Sequence, residues 1–132
     1  MSVASRLRSG HNWPPLASGV LIEQAELWWA ELDEPTGSEA GYRRPVVVQG
    51  NALNRSRIGT AVCVPLTSKL RWADAPGNVL LPNHETGLAQ DSVANVSLIV
   101  ALDKQQLTER VRKIPRRRFE LILAGIDTIL GR

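Results

Sequence analysis

The stretch that decides the fold is Thr36-Gly-Ser-Glu-Ala-Gly-Tyr-Arg-Arg-Pro-Val-Val-Val48, followed after a polar segment by Ile58-Gly-Thr-Ala-Val-Cys-Val-Pro-Leu-Thr-Ser68. Its β-branched runs predict two strands, over residues 46–49 and 60–66. The segment between them, residues 50–59, contains Asn and Gly, which tolerate the backbone angles of turns. The stretch therefore predicts a hairpin with a long connecting loop.

The open end of this hairpin holds a candidate phosphate site. A symmetric hairpin has its midpoint near Arg55 and Ser56. Arg44 then lies opposite Thr67, at the end away from the loop. A guanidinium presents its donors in a planar fork that matches phosphate oxygens, and a neighbouring hydroxyl can donate one further hydrogen bond. Considered alone, the two positions are more ordinarily a solvated arginine and a capping or turn threonine, so the phosphate site is a hypothesis.

Composition predicts one globular domain. The chain of 132 residues is long enough for one hydrophobic core and too short for two. Its hydrophobic fraction of 43% and charged fraction of 22% are those of globular domains, and no apolar run in the sequence is long enough to span a bilayer. The net charge of +3, carried mostly by arginine, permits nucleic-acid binding without demonstrating it.

Cysteine and histidine are too few to suggest a metal site. With one cysteine and two histidines in the sequence, neither a metal nor another cofactor is expected. Cys63 lies in an apolar strand pattern, which predicts a small buried side chain rather than a nucleophile. His84 lies in a polar turn and is predicted to be a surface residue rather than a general base. A lone cysteine is compatible with the cytosol.

The first part of the chain is less clearly patterned. Residues 1–20 have paired prolines and no apolar period, which predicts a flexible leader, and residues 21–132 are predicted to be the folded domain. Residues 21–32 are rich in Glu, Ala and Leu and favour a helix by propensity. Residues 33–43 are predicted to be a loop because they contain Pro and Gly.

Beyond the hairpin, short elements lead to a terminal helix. Ser68 is predicted to cap a short helix over residues 68–75. A strand is predicted over residues 78–82, a turn over 83–87 and strand structure within 92–101. The last helix has Pro115 in its first turn. Its apolar face consists of Phe119, Leu121, Ile122, Ile126, Ile129 and Leu130.

Several motifs in one order resemble the MazF/PemK (Kid) family of bacterial toxin ribonucleases. The principal ones are Gly37-Ser38-Glu39, Arg44-Pro45-Val46-Val47-Val48 and Val64-Pro65-Leu66-Thr67-Ser68. Supporting matches are Leu27-Trp28-Trp29, Gln90-Asp91-Ser92 and Leu102-Asp103-Lys104-Gln105-Gln106-Leu107. The resemblance covers residues 21–130, and its specificity comes from the ordered set rather than from any single motif.

The resemblance implies a mainly β fold with helices, a small SH3-like β-barrel of the MazF/PemK/CcdB type with a C-terminal helix. It replaces the helix favoured by propensity with a first strand over residues 26–32. Trp28 and Trp29 then face opposite sides of that strand. The family often has Gly-Asp before this strand, where this sequence has Ala25-Glu26, so the start of the strand is open.

The resemblance also implies a reaction. It is the sequence-specific, metal-independent cleavage of single-stranded RNA, specifically mRNA, leaving a 2′,3′-cyclic phosphate and a 5′-hydroxyl. Arg44 and Thr67 are implied to be the catalytic pair, with Arg44 stabilising the phosphate and taking part in proton transfer. By its pKa arginine is a poor base, so that second role is carried over from the family alone. Thr67 is implied to donate its hydroxyl to the developing oxyanion.

Further residues are implied to bind RNA or to support the site. Ser38, Glu39 and Ser68 belong to the quoted motifs, and Arg43 neighbours Arg44. The segment of residues 50–59 corresponds to a mobile loop in the family, which adds Asn54, Arg55 and Arg57. Family members often have Glu-Gln where this chain has Ser97-Leu98, and that departure leaves the recognised RNA sequence open.

The implied setting is a bacterial cytoplasmic homodimer that arrests translation and is neutralised by a MazE-like antitoxin with an extended, often acidic tail. Rival interpretations are a non-catalytic toxin of the same fold, such as a CcdB-like gyrase poison, and an RNA- or protein-binding module. A dense basic cluster is either a solvated face or a contact for RNA or antitoxin. It comprises Arg110, Arg112, Lys113, Arg116, Arg117 and Arg118.

Overall fold

The computed structural model describes residues 21–31 and 42–132, without the side chains of Tyr42 and Arg43. The predicted leader over residues 1–20, and the loop that holds Ser38 and Glu39, lie outside the described residues. The strands are β1 (Glu26–Glu31), β2 (Tyr42–Arg43), β3 (Pro45–Val47), β4 (Thr60–Thr67), β5 (Val79–Leu81), β6 (Ser92–Ala94), β7 (Val100–Asp103) and β8 (Leu107–Lys113). The α-helices are α1 (Asn51–Asn54), α2 (Asn83–Thr86) and α3 (Arg116–Leu130), and 3₁₀ turns span Leu70–Asp74, Val96–Leu98 and Lys104–Gln106.

All strand pairs are antiparallel, and β1 and β4 each pair with three other strands. Strand β4 pairs with β3 along one edge, and with β7 and then β6 along the other. Strand β1 pairs with β2 and β3 on one side and with β8 on the other, while β5 pairs with β6. Among the described strands β2, β5, β7 and β8 each have a single neighbour, so the predicted barrel is not closed.

Strand β1 forms where propensity alone favours a helix. Ala25 adopts a φ of 77°, a left-handed conformation through which an α-helix does not continue. The strand is then paired on both sides, and such non-local pairing outweighs weak intrinsic preference. Trp28 is buried on one face and Trp29 is half-buried, as the predicted alternation requires. The strand implied by the family resemblance is therefore confirmed.

The sheet buries apolar side chains on both faces. The larger cluster lies under α3 and contains Leu27, Val46, Val48, Val64, Leu66, Val79, Leu81, Ala94, Val96, Ile114, Phe119 and Ile122. The smaller cluster, on the opposite face, contains Ile22, Trp28, Ala30, Val47, Ala61, Cys63 and Leu107. Because successive residues of β3 and β4 enter different clusters, this hairpin is buried on both sides.

Helix α3 confirms the predicted terminal helix but buries only part of its apolar face. Phe119 and Ile122 are buried, whereas Leu121 is 51% exposed. Ile129 and Leu130 are also exposed. The helix comes so close to the loop before β5 that a Cβ added at Gly125 would overlap the carbonyl oxygen of Gly77. Glycine at this position therefore sets the distance between α3 and the sheet.

Three predicted turns or loops contain regular structure. Tyr42–Arg43, expected to be loop, forms β2 because its backbone pairs with Ala30 and Glu31. The predicted loop of residues 50–59 begins with the one-turn helix α1, and the predicted turn of residues 83–87 contains α2. Gly87 ends α2 with a φ of 82°, the left-handed conformation that glycine adopts most easily.

Two further predictions were wrong in detail. Ser68 does not cap a helix: the 3₁₀ turn begins after Lys69, and the hydroxyl of Thr67 accepts the Lys69 amide instead. Strand structure within residues 92–101 is divided by a 3₁₀ turn between β6 and β7, in which the side chain of Val96 is buried. Of the helices in residues 42–132, none has both the length and the apolar character needed to cross a membrane.

Candidate active site

The predicted site lies at the open end of the hairpin formed by β3 and β4. Pro45 pairs with Pro65, and Val47 with Cys63. The amide of Leu66 donates a hydrogen bond of 3.2 Å to the carbonyl oxygen of Arg44. Arg44 thus lies opposite Leu66, and the prediction that it lies directly opposite Thr67 was wrong by one residue. The two residues instead occupy adjacent positions on neighbouring strands.

A β-bulge explains the difference. The amides of Val48 and Gln49 both donate to the carbonyl oxygen of Val62, at 2.9 and 3.1 Å, so two residues face one. The side chain of Gln49 completes the distortion by accepting the Val62 amide at 3.2 Å. One extra residue on the β3 side shifts the register, which counting from a symmetric loop does not reveal.

Arg44 sits at a break between β2 and β3, where it is half-buried. The following Pro45 has no N–H and disfavours a helical conformation at Arg44, which keeps the chain extended through the break. The backbone of Arg43 pairs with Ala30, and its side chain is outside the description. A half-buried arginine at a strand break can present its guanidinium to an anion without becoming part of the core.

Thr67 ends β4, where it pairs with Val93 of β6 and is half-buried. Its hydroxyl oxygen accepts the amide of Lys69 at 3.2 Å. A hydroxyl that accepts through oxygen still has a hydrogen to donate, so Thr67 can offer that hydrogen to a ligand. The predicted supporting residue Ser68 is half-buried immediately after it.

The loop of residues 50–59 places two arginines at the surface and an asparagine inside. Arg55 and Arg57 are exposed, whereas Asn54 is 1% exposed. The Asn54 amide nitrogen donates to the Gln49 carbonyl at 2.9 Å, and its oxygen accepts the Gln49 side-chain amide at 2.9 Å. Asn54 therefore supports the loop from within, and the two arginines remain accessible to a ligand.

The basic cluster of residues 110–118 is largely paired with carboxylates of the same chain. Ion pairs join Arg110 to Glu26, Lys113 to Glu23, Arg116 to Glu120, and both Arg117 and Arg118 to Glu85. A hydrogen bond from Arg118, reinforced by the charge of Arg117, lowers the pKa of the Glu85 carboxyl. This pairing, which offsets part of the positive charge within the chain, favours the interpretation as a solvated face over a contact for RNA or antitoxin.

Lys104 is a buried polar residue that sequence reasoning did not single out. It belongs to the quoted Asp-Lys-Gln-Gln segment, but its side chain is 5% exposed and reaches the loop of residues 50–59. Lysine is seldom buried without an acidic partner, and no local pattern in the sequence signals such burial. Only the fold, which brings β7 beside the start of β4, shows it.

Cys63 is fully buried on β4, which confirms the predicted small buried side chain. Burial raises the pKa of its thiol to about 12. Across residues 21–31 and 42–132, the His, Cys, Asp and Glu side chains form no group of three or more that could hold a metal ion.

Comparison with known proteins gives a consistent family. The family model described as PemK-like, MazF-like toxin of type II toxin-antitoxin system matches residues 23–130. Endoribonuclease MazF6 of Mycobacterium tuberculosis is 41% identical over 112 residues, which are 84% of this chain and 98% of that protein. The match thus extends over nearly the whole length of the relative.

Solved structures share the fold. The crystal structure of MazF from Deinococcus radiodurans has a TM-score of 0.70 at 22% identity, covering 86% of this chain and 99% of that one. An endoribonuclease from a mycobacterial species, solved in complex with its cognate antitoxin, has a TM-score of 0.68 at 21% identity, covering 83% and 95%. These similarities confirm the predicted fold class, mainly β with a C-terminal helix.

Proposed function

This chain belongs to the PemK-like, MazF-like family of toxins from type II toxin–antitoxin systems, and on that premise we propose that it is an endoribonuclease that cleaves single-stranded RNA at a defined sequence. The structural observation that carries the proposal is the hydrogen bond from the Leu66 amide to the Arg44 carbonyl. This bond joins the two strands at the end of the hairpin that holds the candidate pair. Arg44 is half-buried there, and so is Thr67, the residue after Leu66. Because Arg44 lies at a break between β2 and β3, its long side chain does not have to follow the alternation of β3, and we propose that it and the Thr67 hydroxyl bind the same phosphate.

The proposed reaction uses the substrate as its own nucleophile. The 2′-oxygen attacks the adjacent phosphorus, the new P–O2′ bond forms and the P–O5′ bond breaks. The 2′-hydroxyl loses its proton to a base, and the departing 5′-oxygen gains one from an acid. The products are a 2′,3′-cyclic phosphate and a 5′-hydroxyl. Because the nucleophile belongs to the RNA, side chains alone can supply the remaining chemistry, and we propose that no metal is required.

Arg44 and Thr67 have complementary proposed roles. The guanidinium of Arg44 would bind the non-bridging oxygens and oppose the charge that develops on the five-coordinate phosphorus. The hydroxyl of Thr67, which already accepts the Lys69 amide, would donate to one of those oxygens. A role for Arg44 in proton transfer is proposed from the family resemblance, since an arginine is protonated at neutral pH.

Residues at both ends of the hairpin would guide the RNA chain. Arg55 and Arg57 are exposed on the loop that joins β3 to β4, at the end away from Arg44 and Thr67, where basic side chains can follow a phosphate backbone. We propose that Arg43 contacts the same strand of RNA. Ser38 and Glu39 would shape the predicted loop before Arg44. Together with Ser68, which follows Thr67, they would position the RNA around Arg44.

The proposal extends to partners and setting. We infer that the protein acts as a homodimer in the bacterial cytoplasm, where cleavage of mRNA arrests translation, and that a MazE-like antitoxin restrains it. The net charge of +3 and the exposed arginines at positions 55 and 57 suit an antitoxin with an acidic tail. The mycobacterial endoribonuclease of similar fold was solved in complex with its cognate antitoxin.

The test is cleavage of a long single-stranded RNA in excess EDTA by the wild type, Arg44→Ala and Thr67→Ala. The wild type should give discrete fragments with cyclic-phosphate ends, from which the recognised sequence can be determined. Removing a donor to the developing charge should slow cleavage roughly 10²-fold or more in each variant. Thr67→Ser, which keeps the hydroxyl, is the matched control and should retain most of the activity.

Equal cleavage by the wild type and by both alanine variants would refute the site assignment. Loss of cleavage by the wild type on addition of EDTA would refute metal independence. If several RNAs remain intact while the protein still inhibits growth, the gyrase-poison or binding-module interpretation replaces this one.

A further inference from the structure

The loop of residues 50–59 is held by one side chain that is distant in sequence. The Nζ of Lys104 donates to the carbonyl oxygens of Asn54 and Ser56, at 3.0 and 3.2 Å. The backbone amide of Lys104 also donates to the carbonyl oxygen of Gly59, at 2.8 Å. Lys104 thus contacts the loop near its middle and at its end, on either side of Arg55 and Arg57.

The backbone of Lys104 is itself fixed. It lies in the 3₁₀ turn Lys104–Gln106, which Asp103 caps by accepting the Gln105 amide at 3.0 Å. In turn, the side-chain oxygen of Gln106 accepts a hydrogen bond of 3.0 Å from the Asp103 backbone amide. This reciprocal capping keeps the start of the lysine side chain in place against β4.

The burial of this lysine needs an explanation beyond packing. Its side chain is 5% exposed, and burial lowers the pKa of its ammonium group. In the part of the chain that the structure describes, the ammonium has carbonyl partners and no carboxylate partner. A cation buried in this way is costly, and an apolar side chain of similar length would fill the same space without that cost. Unlike an apolar side chain, the ammonium group donates hydrogen bonds to two carbonyl groups of one loop.

We propose that Lys104 is a positioning residue that orders the loop of residues 50–59 and so aligns Arg55 and Arg57 with the phosphate backbone of single-stranded RNA. The alignment of RNA rests on the proposed function, whereas the ordering of the loop does not. Ordering the loop before RNA binds removes conformational entropy that binding would otherwise have to overcome. Lys104 therefore acts on substrate binding through the two arginines, without touching the RNA.

The first test measures loop order by limited trypsin digestion, with fragments identified by mass. Lys104→Met should be cut faster after Arg55 and Arg57, roughly tenfold, because the hydrogen bonds that close the loop are lost. Cleavage after Arg71, an exposed site on a different turn, should keep its wild-type rate. Gln105→Met places the same new side chain at an exposed neighbouring position and should leave the loop unchanged.

Unchanged cleavage of the loop in Lys104→Met would overturn the proposal. Faster cleavage after Arg71 as well would also overturn it, because the lysine would then stabilise the whole fold. Lys104→Gln repeats the measurement if the methionine variant does not fold, since its shorter amide cannot reach both carbonyls.

The second test links the loop to RNA. Lys104→Met should raise KM for RNA several-fold with little change in kcat, and Arg55→Ala combined with Arg57→Ala should do the same. Lys104→Met added to the two alanine substitutions should have no further effect on KM, because the lysine acts through those side chains. An additive increase in KM would overturn the proposal that Lys104 acts through Arg55 and Arg57. If neither the wild type nor any variant cleaves RNA, the proposed function fails, and the trypsin result still decides whether Lys104 orders the loop.

Discussion

Cys63 is surrounded by the smaller apolar cluster, and its environment controls its reactivity. Its side chain is fully buried, and burial raises the pKa of the thiol to about 12. Since the thiolate is the reactive form, a thiol with this pKa is almost entirely protonated at neutral or mildly alkaline pH. Burial also keeps reagents away from the thiol, which lowers its reactivity further.

We therefore expect Cys63 to react with a thiol reagent only when the protein unfolds. In buffer near pH 8, labelling with a chromogenic disulfide should be slower than for a free cysteine by several orders of magnitude, and it should become rapid in urea. Cys63→Ser provides the blank. Rapid labelling of the folded protein would show that β4 opens locally or that the thiol is not buried.

At the scale of elements, the sequence indicated the strands better than their register. The β-branched residues around Val46 and Val64 were sufficient to predict β3 and β4, because both strands lie between two apolar clusters. The one-residue shift was not predictable, since it depends on where the side chain of Gln49 finds a partner in the folded hairpin. The predicted pair of Arg44 and Thr67 was therefore found at the correct end but in a diagonal arrangement.

The pairing of the basic cluster could not be read from the sequence for a similar reason. Glu85 is more than thirty positions from Arg117 and Arg118 along the chain, and only the packing of α2 near α3 brings them together. The sequence showed the positive charges but not the carboxylates that neutralise them.

The contact between α2 and α3 predicts a dependence of stability on pH. The hydrogen bond from Arg118 lowers the pKa of Glu85 below its unfolded value of 4.5. A carboxyl with a lowered pKa stabilises the fold above its unfolded pKa, and that stability is lost as pH falls through the folded value. The free energy of unfolding should therefore decrease as pH falls below about 4.5, and Glu85→Gln should reduce the slope.

Urea unfolding at a series of pH values measures this effect. Glu120→Gln is the matched control, because Glu120 is also paired with an arginine of α3 but is 53% exposed. Exposed pairs contribute little to stability, so the control should keep the wild-type slope. Equal slopes for the wild type and Glu85→Gln would show that the contact does not stabilise the fold.

At the scale of the whole molecule, an apolar run leads into the open edge of β7 and offers a surface for a second copy. Leu98, Ile99 and Val100, the first residue of β7, are 53%, 36% and 41% exposed, so three apolar residues in succession face solvent. Within the described sheet β7 has β4 as its one neighbour. An exposed apolar edge favours association with another strand or surface.

We predict that this edge contributes to the proposed homodimer. Light scattering should give twice the mass of one chain for the wild type, and Leu98→Asp should shift the protein towards the monomer by placing a charge at the interface. Leu121→Asp, at a comparably exposed position on α3, should remain dimeric. The opposite pattern would assign the interface to α3, and a monomeric wild type would refute the dimer.

The pairing of β1 with β8 has a consequence for folding during protein synthesis. Glu26 pairs with Lys113 and Ala30 with Leu107, so an early strand of the domain needs a late one to complete its hydrogen bonds. Such distant pairing slows folding, because a long stretch of chain must be ordered before the contact forms. A chain emerging from the ribosome cannot close this sheet until β8 has been synthesised. A ribosome that stalls before β8 would therefore hold a chain in which β1 lacks one of its neighbours.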